Sequence, residues 1–102
     1  MLTEIAKQLG WADEQCTLRH YRTKDGVEVD AILEHADGRV VGIEVKAAAT
    51  VRSEDLRHLV HLRQRLGDRF HAGVVVHLGP TSASFGDRLW AVPLSALWTT
   101  AT

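Results

Sequence analysis

The stretch Val27-Glu28-Val29-Asp30-Ala31-Ile32-Leu33-Glu34-His35-Ala36-Asp37-Gly38-Arg39-Val40-Val41-Gly42-Ile43-Glu44-Val45-Lys46-Ala47 holds two runs of period-two hydrophobicity around one turn signal. In the first run Val27, Val29, Ala31 and Leu33 alternate with Glu28, Asp30, Ile32 and Glu34. In the second, Val41, Ile43, Val45 and Ala47 alternate with Val40, Gly42, Glu44 and Lys46. Successive strand residues point to opposite faces, so each run predicts a half-buried strand and the pair predicts a hairpin. A slip of one residue would turn every apolar side chain to the wrong face, so odd positions must oppose odd positions. A three-residue loop Ala36-Asp37-Gly38 with Gly38 left-handed meets that condition. It sets His35 against Arg39, Val29 against Val45, Asp30 against Glu44 and Glu28 against Lys46.

Outward from the hairpin, Leu2, Ile5, Ala6 and Leu9 recur at helical spacing before Gly10, which predicts a short first helix. Thr17–Arg22 reads as a strand closed by Lys24-Asp25-Gly26. Downstream, Ser53 is the expected N-cap, with Glu54 and Asp55 in the first turn where the helix dipole favours acids. Leu56, Leu59, Val60 and Leu66 follow at helical spacing, and Gly67 ends the helix. The nearly continuous apolar run Gly73–Leu78 predicts a strand covered on both faces and parallel to an earlier one. Gly79-Pro80 opens a loop, and Leu89, Trp90, Val92, Leu94, Leu97 and Trp98 predict a short strand and a helical turn near Pro93. The fold class is therefore α/β, an αβββαβ core with a central mixed sheet flanked by helices.

The 102 residues are 45% hydrophobic and 25% charged, the profile of one globular domain too small for a separate cofactor domain. We expect a core over about residues 2–78 and a C-terminal extension over 79–102. No apolar run approaches the roughly 18 residues of a membrane span, and the N-terminus lacks a signal pattern, so a cytoplasmic protein without membrane attachment is expected. The single Cys16 cannot form an internal disulfide and reads as a small packing residue. With 12 Lys+Arg against 13 Asp+Glu, the net charge of -1 excludes a domain held on nucleic acid by bulk positive charge alone. Nine of the cations are Arg, which favours planar partners such as carboxylates and phosphates.

Two carboxylates facing each other across a hairpin have Cβ atoms roughly 5 Å apart and repel. A bound cation, protonation of one member, or neutralisation by Lys46 and nearby arginines would offset the repulsion. The first option suits Mg²⁺, with Mn²⁺ as a substitute, because a hard ion takes oxygen ligands and keeps several waters. His58 and His61 lie three apart on the predicted helix, a spacing compatible with metal binding but without a third ligand, so a surface position is expected. Arg57, Arg63 and Arg65 on the same helix read as a solvated face with phosphate contact as the alternative. Trp90 and Trp98 read as core or as a docking surface.

Asp30, thirteen intervening residues, then Glu44-Val45-Lys46 resembles the PD-(D/E)XK motif of the restriction-endonuclease-like superfamily. Val29 stands where the motif's Pro would be, a position that varies within the superfamily. The resemblance covers about Leu2–Leu78 and implies that Asp30, Glu44 and the Val45 carbonyl hold Mg²⁺. It implies Lys46 as the residue that orients the attacking water, and cleavage of a DNA phosphodiester as the reaction. Glu28 and Glu4 are possible accessory acids.

A closer resemblance, over nearly the whole chain, is to the uncharacterised C-terminal domain of prokaryotic AAA-type ATPases. It is carried by Tyr21-Arg22-Thr23-Lys24-Asp25-Gly26-Val27-Glu28-Val29-Asp30 and by Phe85-Gly86-Asp87-Arg88-Leu89-Trp90-Ala91-Val92-Pro93-Leu94. It implies an ATPase module in the same or a partner chain, and Arg22 and Lys24 as the basic residues beside the acidic site that would meet nucleic acid. No G-x-x-x-x-G-K-[ST] occurs, so ATP hydrolysis is not expected here. A homodimer would fit a nuclease that cuts two strands. The alternative is a non-catalytic interaction or DNA-binding domain that regulates an ATPase and keeps a relic acidic site.

Overall fold

The computed structural model describes residues 16–95. The first helix expected over Leu2–Leu9, with Glu4, and the end of the chain with Trp98 lie outside the described residues. Six strands form one sheet in the order β1-β2-β3-β4-β6-β5: β1 Cys16–Arg22, β2 Glu28–His35, β3 Val40–Val45, β4 Phe70–His77, β5 Ala83–Ser84 and β6 Leu89–Pro93. β1, β2 and β3 are antiparallel neighbours, whereas β3, β4 and β6 run parallel, so the sheet is mixed. The parallel step from β3 to β4 is carried by a 3-10 turn, Ser53–Leu56, and the helix α1, Arg57–Leu66. Together these give the mixed α/β architecture expected from the sequence. Among the described residues no helix is long and apolar enough to cross a membrane.

The hairpin has the register that period two requires, with Ala31 opposite Ile43, Ile32 opposite Gly42 and Leu33 opposite Val41. Its loop closes as expected: Gly38 has φ +97, its amide bonds the His35 carbonyl at 2.9 Å, and His35 bonds Arg39 at 2.8 Å. The ladder, however, stops at Ala31 and Ile43, one step short of Asp30 and Glu44.

A bulge against β1 lies at the same place. Arg19 opposes Ile32 while Tyr21 opposes Val29, so His20 alone stands against both Asp30 and Ala31. An extra residue reverses the alternation beyond it. Val29 accordingly joins Ile32 in the helix-side cluster, whereas Leu33 packs on the opposite face with Ala31 against it. The strict alternation expected through Val27–Leu33 is corrected by this bulge.

Both faces of the central strands are apolar. One cluster gathers Val29, Ile32, Val40, Val75 and Leu89 beneath Leu56, Leu59 and Leu62 of the crossover. The other gathers Leu33, Val41, Ile43, Ala72, Val74 and Val76, with Cys16 packed against it. Burying each leucine contributes about 1.5–3 kcal/mol. The helix comes this close because Gly42 and Gly73 lack side chains. A Cβ on Gly42 would lie 2.8 Å from Leu59 Cδ2, and one on Gly73 would lie 2.8 Å from the Phe70 ring.

Four local expectations change. Ser53 is not the N-cap: the cap is Arg52, whose amide donates to the Asp55 carboxylate at 2.8 Å, so Asp55 satisfies the first turn from inside it. The buried strand starts at Phe70 and ends at His77, leaving Leu78 62% exposed because it has passed the end of the sheet. Trp90 is 47% exposed on β6 and is not core. His58 and His61 are half-buried rather than surface residues, because they flank the Leu59 and Leu62 ridge that the helix presses onto the sheet.

Candidate active site at the open end of the hairpin

Asp30 lies at the bulge in β2, and Glu44 and Val45 are the last two residues of β3, so all three meet where the hairpin ladder has ended. The vacant ladder position is filled by a side chain: the Val45 amide donates to Asp30 Oδ2 at 2.9 Å. This bond orients the Asp30 carboxylate along the sheet edge. In an extended residue the N–H and C=O point to the same side, so the Val45 carbonyl faces the same edge.

Glu44 projects from the helix side of β3, and its side chain is 18% exposed. Burial, and after it the negative charge of Asp30, push its carboxyl up to about 7, against the opposing pull of His58 and Arg57. Its Oε1 lies 3.9 Å from His58 Nδ1. An open depression lined by Glu44, Glu54, Asp55, Arg57 and His58 adjoins it.

Lys46 reaches the 3-10 turn, where its ammonium donates to the Asp55 carboxylate. That bond, and the Arg52 amide after it, hold the Asp55 carboxyl below the usual carboxylate range. The opposition of Glu28 to Lys46 expected from the hairpin register is therefore not found. Lys46 turns to the helix side and its amide bonds the Val76 carbonyl at 2.8 Å. The Glu28 backbone instead meets His58, whose Nδ1 is 2.7 Å from the Glu28 carbonyl oxygen. The Glu28 amide lies 3.3 Å from the same Nδ1, and Arg57 Nε donates to His58 Nε2 at 3.4 Å.

The Glu28 carboxylate accepts from Arg22 at 3.4 Å and lies 3.3 Å from His20 Nε2. Arg22 is thereby tethered to the strand that carries Asp30, while Lys24 is exposed in the turn beyond it. Of the helix arginines, Arg57 faces the site, Arg63 donates to the Asp87 carbonyl at 2.7 Å, and Arg65 is exposed.

Asp55 and His58 were not singled out as partners of the acidic pair by sequence. Their only signal was position, the first turn and the third helical residue after it, and neither discloses which strand end the turn will meet.

Among the described residues no three His, Cys, Asp or Glu side chains converge on a metal position. The donors at hand are two carboxylates and one carbonyl, all hard oxygens, and Mg²⁺ ordinarily uses one or two carboxylates and completes its shell with water and phosphate. The Glu44 carboxyl is also largely buried beside Asp30, and a divalent cation would relieve the crowding of the two carboxylates. On both counts the residues fit such an ion.

No curated protein matches the chain. Among solved structures it is similar to the EndoMS-dsDNA2 complex, with 21% identity and a TM-score of 0.43 over 78% of this chain and 36% of that one. The chain thus spans about a third of the length of that neighbour. A family model matches residues 1–97, nearly the whole chain, and by that match the protein belongs to the family described as a domain of unknown function, DUF4143.

Proposed function

We propose that this domain is a divalent-metal-dependent phosphodiesterase of the PD-(D/E)XK type, acting on DNA and working with an AAA-type ATPase module in the same or a partner chain. The observation that carries it is the convergence of Asp30, Glu44, Val45 and Lys46 at one end of the sheet, with Asp30 locked onto the Val45 amide. Asp30, Glu44 and the Val45 carbonyl are the residues that would hold Mg²⁺ or Mn²⁺. The ion, when bound, polarises a phosphate oxygen and lowers the pKa of a coordinated water.

The chain's own residues do the rest. Asp30 is preset by its amide bond. Glu44 would hold the ion in its ionised form, which burial disfavours. Lys46 has three N–H donors and spends one on Asp55, so two remain to orient a water or meet a phosphate oxygen. Arg22 and Lys24, on the approach to β2, would contact the nucleic-acid backbone. Glu28 places Arg22, and Glu4 remains a further accessory acid. The cell compartment proposed is the cytoplasm, and a homodimer would let two such sites act on two strands.

A second reading has its own observation. The Lys46 ammonium is already closed onto Asp55, as in a structural ion pair, which suits a non-catalytic domain that binds a protein or DNA and regulates an ATPase. The discriminating experiment incubates the protein with plasmid, linear duplex and single-stranded DNA in Mg²⁺ or Mn²⁺, beside Asp30→Asn and Lys46→Ala. Cleavage by wild type alone, with folded variants, supports the phosphodiesterase. Equal cleavage by all three preparations, or none in any metal, removes it in favour of the second reading.

A further inference from the structure

A second pocket lies on the same face and at the same end of the sheet as Glu44 and Lys46, beyond the C-terminal ends of parallel strands β3 and β4 and against the middle of β6. The outer ends of parallel strands are where open α/β sheets hold ligands. Its floor is His77, the last residue of β4, only 4% exposed. Since Val45 pairs with Val76, Lys46 and His77 follow each other across adjacent strands, roughly 4.8 Å apart in the sheet. The rim is made by the loops after β3 and β4, sewn together by the Leu78 amide on the Ala48 carbonyl at 2.9 Å. Gly79 is needed there, since a Cβ would fall 2.2 Å from the Ala49 carbonyl oxygen.

The pocket's chemistry is specific. His77 Nδ1 accepts the Gly79 amide at 3.0 Å, so the ring proton sits on Nε2. Among the described residues that N–H has no partner, and it is not sealed off. It is a fixed donor beside the hydroxyl residues Thr50 and Thr81, between apolar walls that include Val51, Ala83 and Phe85. Among the described residues no Asp, Glu, Lys or Arg lines the space. These lining residues offer a phosphate no cation, whereas a planar ring with acceptor atoms finds a donor, hydroxyls and an aromatic neighbour among them. At about 220 Å³ the pocket falls short of the roughly 300–1,000 Å³ typical of drug-sized ligands and suits a single ring system.

We propose that this His77 pocket is a base subsite, which takes one unstacked nucleobase of the strand whose phosphate lies over Asp30 and Glu44. That ligand class rests on the phosphodiesterase reading above.

The test is fluorescence anisotropy in EDTA, where no cleavage occurs. The full chain is titrated against a short single-stranded oligodeoxynucleotide and against the same backbone with abasic sites, with an oligoribonucleotide as a third probe. Wild type is expected to bind the base-bearing strand about tenfold more tightly than the abasic one. Ala83→Leu, which fills the pocket from an exposed position, and His77→Phe are expected to erase that preference, while Gln64→Ala, on the exposed face of α1, keeps it. Equal affinity of wild type for both strands, no binding of either, or a preference that survives in Ala83→Leu would overturn the subsite. A preference that behaves as expected, in a protein that cleaves no DNA, would instead retire the phosphodiesterase and leave the pocket standing.

Discussion

The Asp30 carboxylate takes the Val45 amide at 2.9 Å, in the ladder position that a backbone carbonyl of β2 would occupy had the hairpin continued. One side chain thus ends the strand pairing and presents its second oxygen at the opening. Asp30→Asn keeps an acceptor for Val45 and loses only the charge, whereas Asp30→Ala loses both. We expect Asn to leave the melting temperature close to wild type and Ala to lower it slightly, because the exposed amide can turn to water. Matched thermal melts read the difference, and a larger loss in Asn than in Ala would contradict the role of the bond.

Metal binding is expected to raise stability by mass action, by about 2.7 kcal/mol at a metal concentration one hundred times the dissociation constant. The check is thermal unfolding in EDTA, Mg²⁺ and Mn²⁺ at constant ionic strength. Stabilisation should vanish in Asp30→Asn and in Glu44→Gln. Persistence in either variant would place the ion elsewhere.

Glu44 gives a pH signature. Its folded pKa of about 7 stands above its ordinary value of 4.5, so folding favours the protonated form. Stability from this group is intact below about pH 4.5 and is lost as pH rises toward and through 7. Glu44→Gln removes the titration, and in metal-free buffer it should be more stable than wild type at pH 8 by of the order of 1–3 kcal/mol, with little difference at pH 4. Urea unfolding at the two pH values measures this, and a constant offset would refute it.

Asp55 titrates with the opposite sign. Its pKa is held below 3.8 by Lys46 and by the Arg52 amide, so its contribution is present above that value and is lost as the solution turns strongly acid. Asp55→Asn should melt at a lower temperature than wild type at pH 7, with the gap closing only under strongly acid conditions. A gap that closes near neutrality would assign the effect to another group.

Two glycines test the packing that positions the site. Gly42→Ala drives a methyl against Leu59 and Leu62, flexible ends that can yield, at a cost of about 1–3 kcal/mol. Gly79→Ala meets backbone, the Ala49 carbonyl, and should cost more while spreading the loops around His77. Chemical denaturation orders the two, and the reverse order would be inconsistent with the loop packing.

The sequence by itself determined the hairpin and its register from the loop as far as Ala31 and Ile43, because period two on both runs and a left-handed Gly38 leave one pairing that keeps apolar faces together. It also determined the parallel crossover, since the run Gly73–Leu78 is almost continuously apolar and must be covered on both faces. It placed Asp30, Glu44 and Lys46 at one end, because register carries position along a strand pair.

The tertiary structure alone decided the rest. The bulge at Asp30 and Ala31 comes from pairing with β1, a neighbour whose own pattern is polar and carries no register signal. Asp55, the partner of Lys46, and His58, which meets the Glu28 backbone, arrive on the crossover, and its angle over the sheet is set by Gly42 and Gly73 meeting leucines far along the chain. His77 became the floor of a pocket only because the loops after β3 and β4 close beside it. Period and turn chemistry are local and legible. Which side chains meet across elements depends on long-range packing, which no local pattern encodes.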